Sequence, residues 1–277
     1  MDLELTEKTA LVTGASRGIG RSIARGLAAE GARVALCARD KATLETAAAE
    51  ISREMRAEPF IVAGDLSRLE EVERVAREVH RRFGRIDILV NNAGAIRGGD
   101  FLTIPDAQWA DDWSLKLLGY IRMARTVFPL MRAQGGGRII NVVGAAARNP
   151  TTGYLPGGVA NAGLVNFTKG LADLGAPHGI LVTAVSPAAT ATDRWQRLMA
   201  QQADAAGKPP EQHRAEVEGA YPLGRIARPE DVADLVCSSP RRARRSSRGS
   251  ASRSTAEPHV AFTSDAARLP WWAPTTV

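Results

Sequence analysis

Cysteine is nearly missing from this chain of 277 residues: Cys37 and Cys237 are the two it has, and they stand far apart. Two scattered thiols make neither a disulfide framework nor a ligand cluster, so no metal site is expected and a reducing cytoplasm fits. Long apolar runs are missing as well. None approaches the roughly 18 residues that a membrane-spanning helix needs, and the N-terminus, Met1-Asp2-Leu3-Glu4-Leu5, is acidic. Neither a signal peptide nor a membrane partner is therefore expected. No internal repeats are evident. What remains is 44% hydrophobic content over a length sufficient for one large α/β domain with a buried core.

The apolar run Thr9 to Val12 leads into Gly14-Ala15-Ser16-Arg17-Gly18-Ile19-Gly20, and Ser22 to Ala29 then has the spacing of a helix. Strand, tight turn and helix in this order suit a pyrophosphate. Glycines let the backbone approach the anion, and the exposed amides at the helix N-terminus favour its charge. Arg33 to Ala38 reads as a second strand, ending at Ala38-Arg39 where a carboxylate for the ribose hydroxyls would stand in an NAD-binding protein. The guanidinium of Arg39, with Arg17 in the turn opposite, can instead clamp a 2′-phosphate. NADP(H) is accordingly favoured over NAD(H); the competing reading leaves both arginines as solvated surface charges.

Further short strands follow at Pro59 to Ala63, Ile86 to Val90, Ile139 to Val143 and Ile180 to Val185, alternating with helical spacing over Val72 to Val79 and Ile121 to Met131. The alternation predicts a Rossmann-type, doubly wound parallel sheet in a three-layer αβα arrangement. Thr13-Gly14-x-x-x-Gly18-x-Gly20, then Asp65-Leu66, Asn91-Asn92-Ala93-Gly94, Pro222-Leu-Gly-Arg225 and Pro229-Glu-Asp-Val232 together resemble the short-chain dehydrogenase/reductases over roughly residues 5 to 237. The resemblance implies hydride transfer between a nicotinamide cofactor and a small-molecule carbonyl or alcohol. It also implies that Asp65 and Leu66 border the adenine. Asn91, Asn92, Ala93 and Gly94 would line the adenosine ribose and brace the central strand. Pro187 and Thr190 would lie beside the nicotinamide, although Ala188 stands where the family usually has Gly.

The usual proton-transfer residues are absent. The family carries a Ser, a Tyr-x-x-x-Lys pair on one helix and an Asn on the preceding helix. In this register those positions hold Gly144, Gly157, Asn161 and Lys116. The chain thus resembles an atypical branch. Tyr154, three residues before Gly157, is a candidate proton donor or else a loop aromatic. Lys116 is a candidate acid or base, or else the partner of a carboxylate. Asn161 can still bond ribose hydroxyls. Lys169 lies about 12 Å further along the helix and is too distant to substitute. The alternative function is a catalytically silent dinucleotide-binding protein, a sensor or subunit partner. The polar stretch 194–221 suits a mobile substrate lid, with Trp195, Leu198 and Met199 either admitting a hydrophobic substrate or simply packing.

The last forty residues break the pattern. Of 36 basic and 30 acidic residues, 7 and 2 fall from Ser238 onward, leaving a nearly neutral 29 and 28 before it. An arginine-rich run such as Arg241 to Arg248 would ordinarily suggest a disordered nucleic-acid-binding arm. A frameshift accounts for it better: reading one nucleotide earlier permits Phe-Leu-Ala-Ser-Pro-Arg-Ala from Ser238 and Val-Asp-Gly-Gly-Ala near Arg253 to Pro258, the family's usual endings. The expectation is a domain over 1–237 followed by an aberrant, disordered basic tail over 238–277, without the family's final strand and without a nucleic-acid partner. The resemblance implies a homo-oligomer, and the altered tail bears directly on that assembly.

Overall fold

Alternation along each strand sends neighbouring side chains to opposite faces of a sheet, and the strands here fill two cores that way. A computed structural model of the protein describes residues 3–205, 207–221, 223–238 and 260–262. Its strands are β1 (Thr9–Thr13), β2 (Arg33–Ala38), β3 (Phe60–Ala63), β4 (Ile88–Asn91), β5 (Gly137–Val142), β6 (Ile180–Ser186) and β7 (Val260–Phe262). Between them run α1 (Gly18–Ala29), α2 (Lys41–Met55), α3 (Leu69–Phe83), α4 (Asp106–Lys116), α5 (Leu118–Ala133), α6 (Leu155–Gly175), α7 (Asp193–Ala205), α8 (Pro210–Gly219) and α9 (Pro229–Ser238). The strands form one seven-stranded sheet in the order β3-β2-β1-β4-β5-β6-β7, with every pairing parallel. This is the Rossmann-type sheet.

Ala10 and Val12 of β1 face a core shared with α1, α2 and α9, while Leu11 between them faces a core shared with α3 and α5. Strands β2 and β4 divide their residues the same way. The helices follow from local signals. Asp40 caps α2 by accepting from the Thr43 amide at 2.8 Å, a bond of the kind that commonly holds a helix start by about 1 kcal/mol. In α3, Val72, Val75, Ala76 and Val79 make the buried stripe, Glu70 and Glu71 stand in the first turn and His80, Arg81 and Arg82 in the last. Those charges complement the helix dipole. Burial pushes the thiols of Cys37 and Cys237 up to about 12, so both remain neutral packing groups.

Two expectations need correction. Val260–Phe262 pairs with Ala184–Ser186, so a final strand follows β6 where none was expected. The rest of the tail, 239–259 and 263–277, lies outside the described residues. The stretch read as a lid is built of two helices, α7 and α8. Trp195, Met199 and Ala203, spaced four apart on α7, are buried, and the first two pack against Ile226, which is the packing reading of Trp195 and Met199 offered above. Leu198 is exposed.

A buried polar chain ties the sheet to α6. Asn91 Nδ2 donates to Asn141 Oδ1 at 3.0 Å, Asn141 Nδ2 donates to Thr168 Oγ1 at 2.9 Å, and Thr168 donates to Leu164 O at 2.7 Å. Replacing the middle member takes the acceptor from the buried Asn91 amide and one of two bonds from the Thr168 hydroxyl. Asn141→Ala is expected to cost about 1–3 kcal/mol, read as a lower urea midpoint; an unchanged midpoint would show that the chain contributes nothing.

Candidate active site

The crevice lies where the strand order reverses, between β1 and β4, the position at which open α/β sheets bind ligands. Gly14 and Gly18 have φ of +67° and +55°, values that side chains resist. A Cβ on Gly20 would overlap the Gly14 carbonyl oxygen, so α1 approaches the turn more closely than any other residue allows. Arg17 occupies the N-cap of α1 in extended conformation and makes no side-chain cap, which leaves the first-turn amides for an anion. Thr13 Oγ1 accepts from the amides of Asn92 at 2.9 Å and Ala93 at 3.1 Å while donating to Val90 O at 3.1 Å. Asn92 Nδ2 reaches Thr13 O and Gly14 O at 3.0 and 3.2 Å. Turn and central strands are thereby locked together.

Arg17 and Arg39 are exposed, and neither has a carboxylate partner among the described residues. Ser16 and Ile19 are half-buried in the turn, Ile19 leaning on the core around α1. Asp65 accepts from the amide and hydroxyl of Ser67 at 3.1 and 2.8 Å, organising the approach to α3, and Leu66 beside it is buried. Asn91 is 1% exposed and gives its amide to Asn141, so its side chain braces the sheet. Ala93 and Gly94 lie in the loop that follows β4, and the stem of Lys116 packs on Gly94, where a Cβ would stand 2.5 Å from Lys116 Cδ. Pro187 O accepts from the Ala145 amide at 3.0 Å, and Thr190 donates to Ala188 O at 3.1 Å.

At the other end of the crevice, Gly157 and Tyr154 fit together as void and filling. A Cβ on Gly157 would fall inside the Tyr154 ring, overlapping Cε1 and Cζ. The ring of Tyr154 therefore takes the space that a side chain at 157 would enter. Trp113 Nε1, bonded to Pro156 O at 3.0 Å, fixes the helix start beneath it. Asn161 is buried, its Nδ2 lies where a Cβ on Gly144 would come within 3.0 Å, and its Oδ1 has no hydrogen-bond partner. An orphaned acceptor is costly unless a ligand donor meets it. Ser186 Oγ at the end of β6 is likewise without a partner.

Lys116 is 9% exposed, and its Nζ donates to Val142 O at 2.9 Å, Val143 O at 3.0 Å and Tyr120 OH at 3.3 Å. All three partners are uncharged. Burial, aided by the charge of Arg194, brings the ammonium down to about 7. Tyr120 OH in turn donates to Val142 O at 3.0 Å, and burial raises this phenol well above its ordinary value, with a smaller contribution from nearby Tyr154. Among the described residues no carboxylate pairs with Lys116. Sequence reasoning missed Tyr120, although its place four residues beyond Lys116 on a continuing helical face was a usable signal. It also missed Arg194, for which no local signal exists. A cavity of about 410 Å³ lined by Arg74, Arg77, Glu78, His80, Arg81 and Leu130 lies on the outer side of α3 and α5, away from the strand ends and this chemistry.

The family described as short chain dehydrogenase matches residues 8–203, and the chain belongs to it. A 3-oxoacyl-[acyl-carrier-protein] reductase of a Synechocystis species is 34% identical over 235 residues, covering 84% of this chain and 88% of that protein. L-Sorbose reductase from Gluconobacter frateurii, solved with NADPH and L-sorbose, superposes with a TM-score of 0.82 at 33% identity, covering 86% and 91%. An NAD+-bound xylitol dehydrogenase gives 0.79 at 28%, covering 84% and 92%. The chain is an oxidoreductase of the nicotinamide-dinucleotide-binding kind, and among the described residues no helix is long and apolar enough to cross a membrane.

The lowered Lys116 value fixes the sign of a pH dependence. Between about 7 and the ordinary 10.5 the unfolded lysine holds a proton that the folded amine has released, so stability rises with pH across that window. Below about 7 the penalty of burying the ammonium is fully present. Relative to Lys116→Met, the unaltered chain is expected to gain stability from pH 7 to 10 in urea titrations; parallel curves would refute a depressed Lys116.

Proposed function

We propose that this chain is an NADP(H)-dependent oxidoreductase that moves a hydride between nicotinamide and a carbonyl or alcohol, with Tyr154 as the proton donor and Lys116 as the cation that supports it. The observation that carries the reading is the Tyr154 ring in the side-chain space of Gly157, near the buried Tyr120 to which Lys116 is bonded. When bound, the nicotinamide supplies or accepts the hydride, as cofactors do the hard chemistry in such proteins.

The chain's own residues do the rest. The glycine turn and the uncapped first turn of α1 hold the pyrophosphate, and Arg17 and Arg39 take the 2′-phosphate. Asn161 Oδ1 accepts from a ribose hydroxyl, which satisfies its buried orphan lone pairs. In the reducing direction Tyr154 gives its phenolic proton to the carbonyl oxygen as the carbon receives the hydride, so the alcohol forms and a phenolate is left. The positive charge at Lys116 stabilises that phenolate across the site. Solvent then returns the proton. NADPH among the solved relatives supports the cofactor preference, while the NAD+-bound one keeps the choice with Arg17 and Arg39.

Tyr154→Phe is expected to lower kcat by about 10² to 10⁴-fold, the usual worth of a general acid. Lys116→Ala should abolish turnover, both with NADPH affinity by fluorescence retained. Unchanged turnover in either variant removes that residue from the mechanism. Tight NADPH binding with no oxidation across ketones and secondary alcohols would instead make the chain a silent binder. Arg17→Ala with Arg39→Ala should cut the preference for NADPH over NADH by at least about tenfold; an unaltered ratio would return both arginines to the solvated surface.

A further inference from the structure

The substrate end of the crevice holds two basic side chains, and among the described residues no acid is paired with either. Lys116 has only neutral acceptors, the carbonyls of Val142 and Val143 and the hydroxyl of Tyr120. Arg194, in the first turn of α7, is exposed and donates through Nη2 to Ile96 O at 2.7 Å. No carboxylate pairs with it among the described residues. Its positive charge adds to the burial that lowers Lys116. The acids nearby are otherwise engaged. Asp112 accepts from Arg97 N at 3.1 Å and Arg97 Nε at 3.0 Å, and Asp111 lies 3.8 Å from the same guanidinium. Asp193 is Arg194's chain neighbour, and adjacent helical positions do not face each other.

The chain path places Arg194 across the opening. Thr192 lies against the phosphate turn, where a Cβ on Gly18 would stand 3.2 Å from Thr192 Cγ2. Two residues on, Arg194 reaches Ile96, two residues past the Gly94 on which Lys116 packs. Residues 192–194 therefore bridge from the cofactor turn to the loop after β4. An anion held by Arg194 is favoured by the positive charge of Lys116 as well, without a direct bond to an amine whose three donors are already engaged. A guanidinium with most of its donors free is the group best shaped for a carboxylate, which it takes bidentately.

We propose that Arg194 and Lys116 form an anion subsite and that the substrate carries a carboxylate, being an oxo acid or the corresponding hydroxy acid. Arg194 takes the carboxylate, and the carbonyl to be reduced lies on the inner side, toward Tyr154 and Lys116. The inference rests on the reductase reading above and narrows its substrate class. The apolar contacts of Trp195 and Met199 are spent within their own cluster, so α7 offers charge rather than a greasy wall to the cleft.

The test compares 2-oxo and 3-oxo acids of increasing length with their methyl esters, following NADPH oxidation, in the unaltered chain and in Arg194→Gln. Exposure of Arg194 makes a folding failure easy to detect by thermal melting. Selectivity, the ratio of kcat/KM for acid over ester, is expected to favour the acid and to fall roughly 10- to 100-fold in the variant, mainly through KM, as loss of a charge-assisted pair requires. Calorimetry of the NADPH-loaded protein with the same oxo acids reads binding independently of turnover. Arg194-dependent binding without turnover on acid or ester upholds the subsite and overturns the reductase reading. Equal kcat/KM for acid and ester, an unmoved ratio in the variant, or a loss confined to NADPH affinity each overturns the subsite.

Discussion

The clamp between Thr13 and Asn92 is the constraint on which the crevice depends. One hydroxyl accepts two amides of the strand-end after β4 and donates back to β4 itself, while the Asn92 amide holds two carbonyls of the glycine turn. Parallel strands of opposite winding diverge at this point, and side-chain bonds close the gap that backbone pairing leaves. The absence of a Cβ at Gly20 lets α1 settle against the same carbonyl. Cofactor geometry is thus set by packing before any cofactor arrives.

At the opposite end of the cleft, the proposed mechanism places an amine at Lys116 and an amide at Asn161, the reverse of the order that the resemblance implies for the two helices. Likewise the aromatic ring missing from position 157 is present at 154, filling the same space. On that proposal charge, amide and ring are all supplied, each from a backbone anchor other than the one the resemblance implies. The price is an ammonium deeper in the protein, satisfied by carbonyl oxygens rather than by an opposite charge, and so easier to deprotonate.

Much of the scaffold was legible because its signals are local. Strand β2 runs over Arg33–Ala38 as the apolar run indicated, and the stripe Val72 to Val79 on α3 names its own buried face. The glycine turn announced itself through residues that tolerate positive φ. The site was legible only in its inventory. Lys116, Tyr154 and Asn161 stand out by position, yet nothing in their neighbourhoods tells which carbonyls receive an ammonium or which void receives a ring. Contacts between Arg194 and Ile96 span 98 positions and leave no periodic trace. The helices α7 and α8 were obscured by polarity, although Trp195, Met199 and Ala203 carried a four-residue period; β7, three residues long, is too short to give a pattern at all.

Gly144 shows how tightly the present side chains fill this end of the cleft. Its φ of +153° belongs to glycine, and a serine Cβ there would press on the Asn161 amide. A tyrosine at 157 would collide with the ring at 154. A side chain added at either glycine therefore requires its neighbour to move with it, so substitutions here act as coupled pairs and not singly.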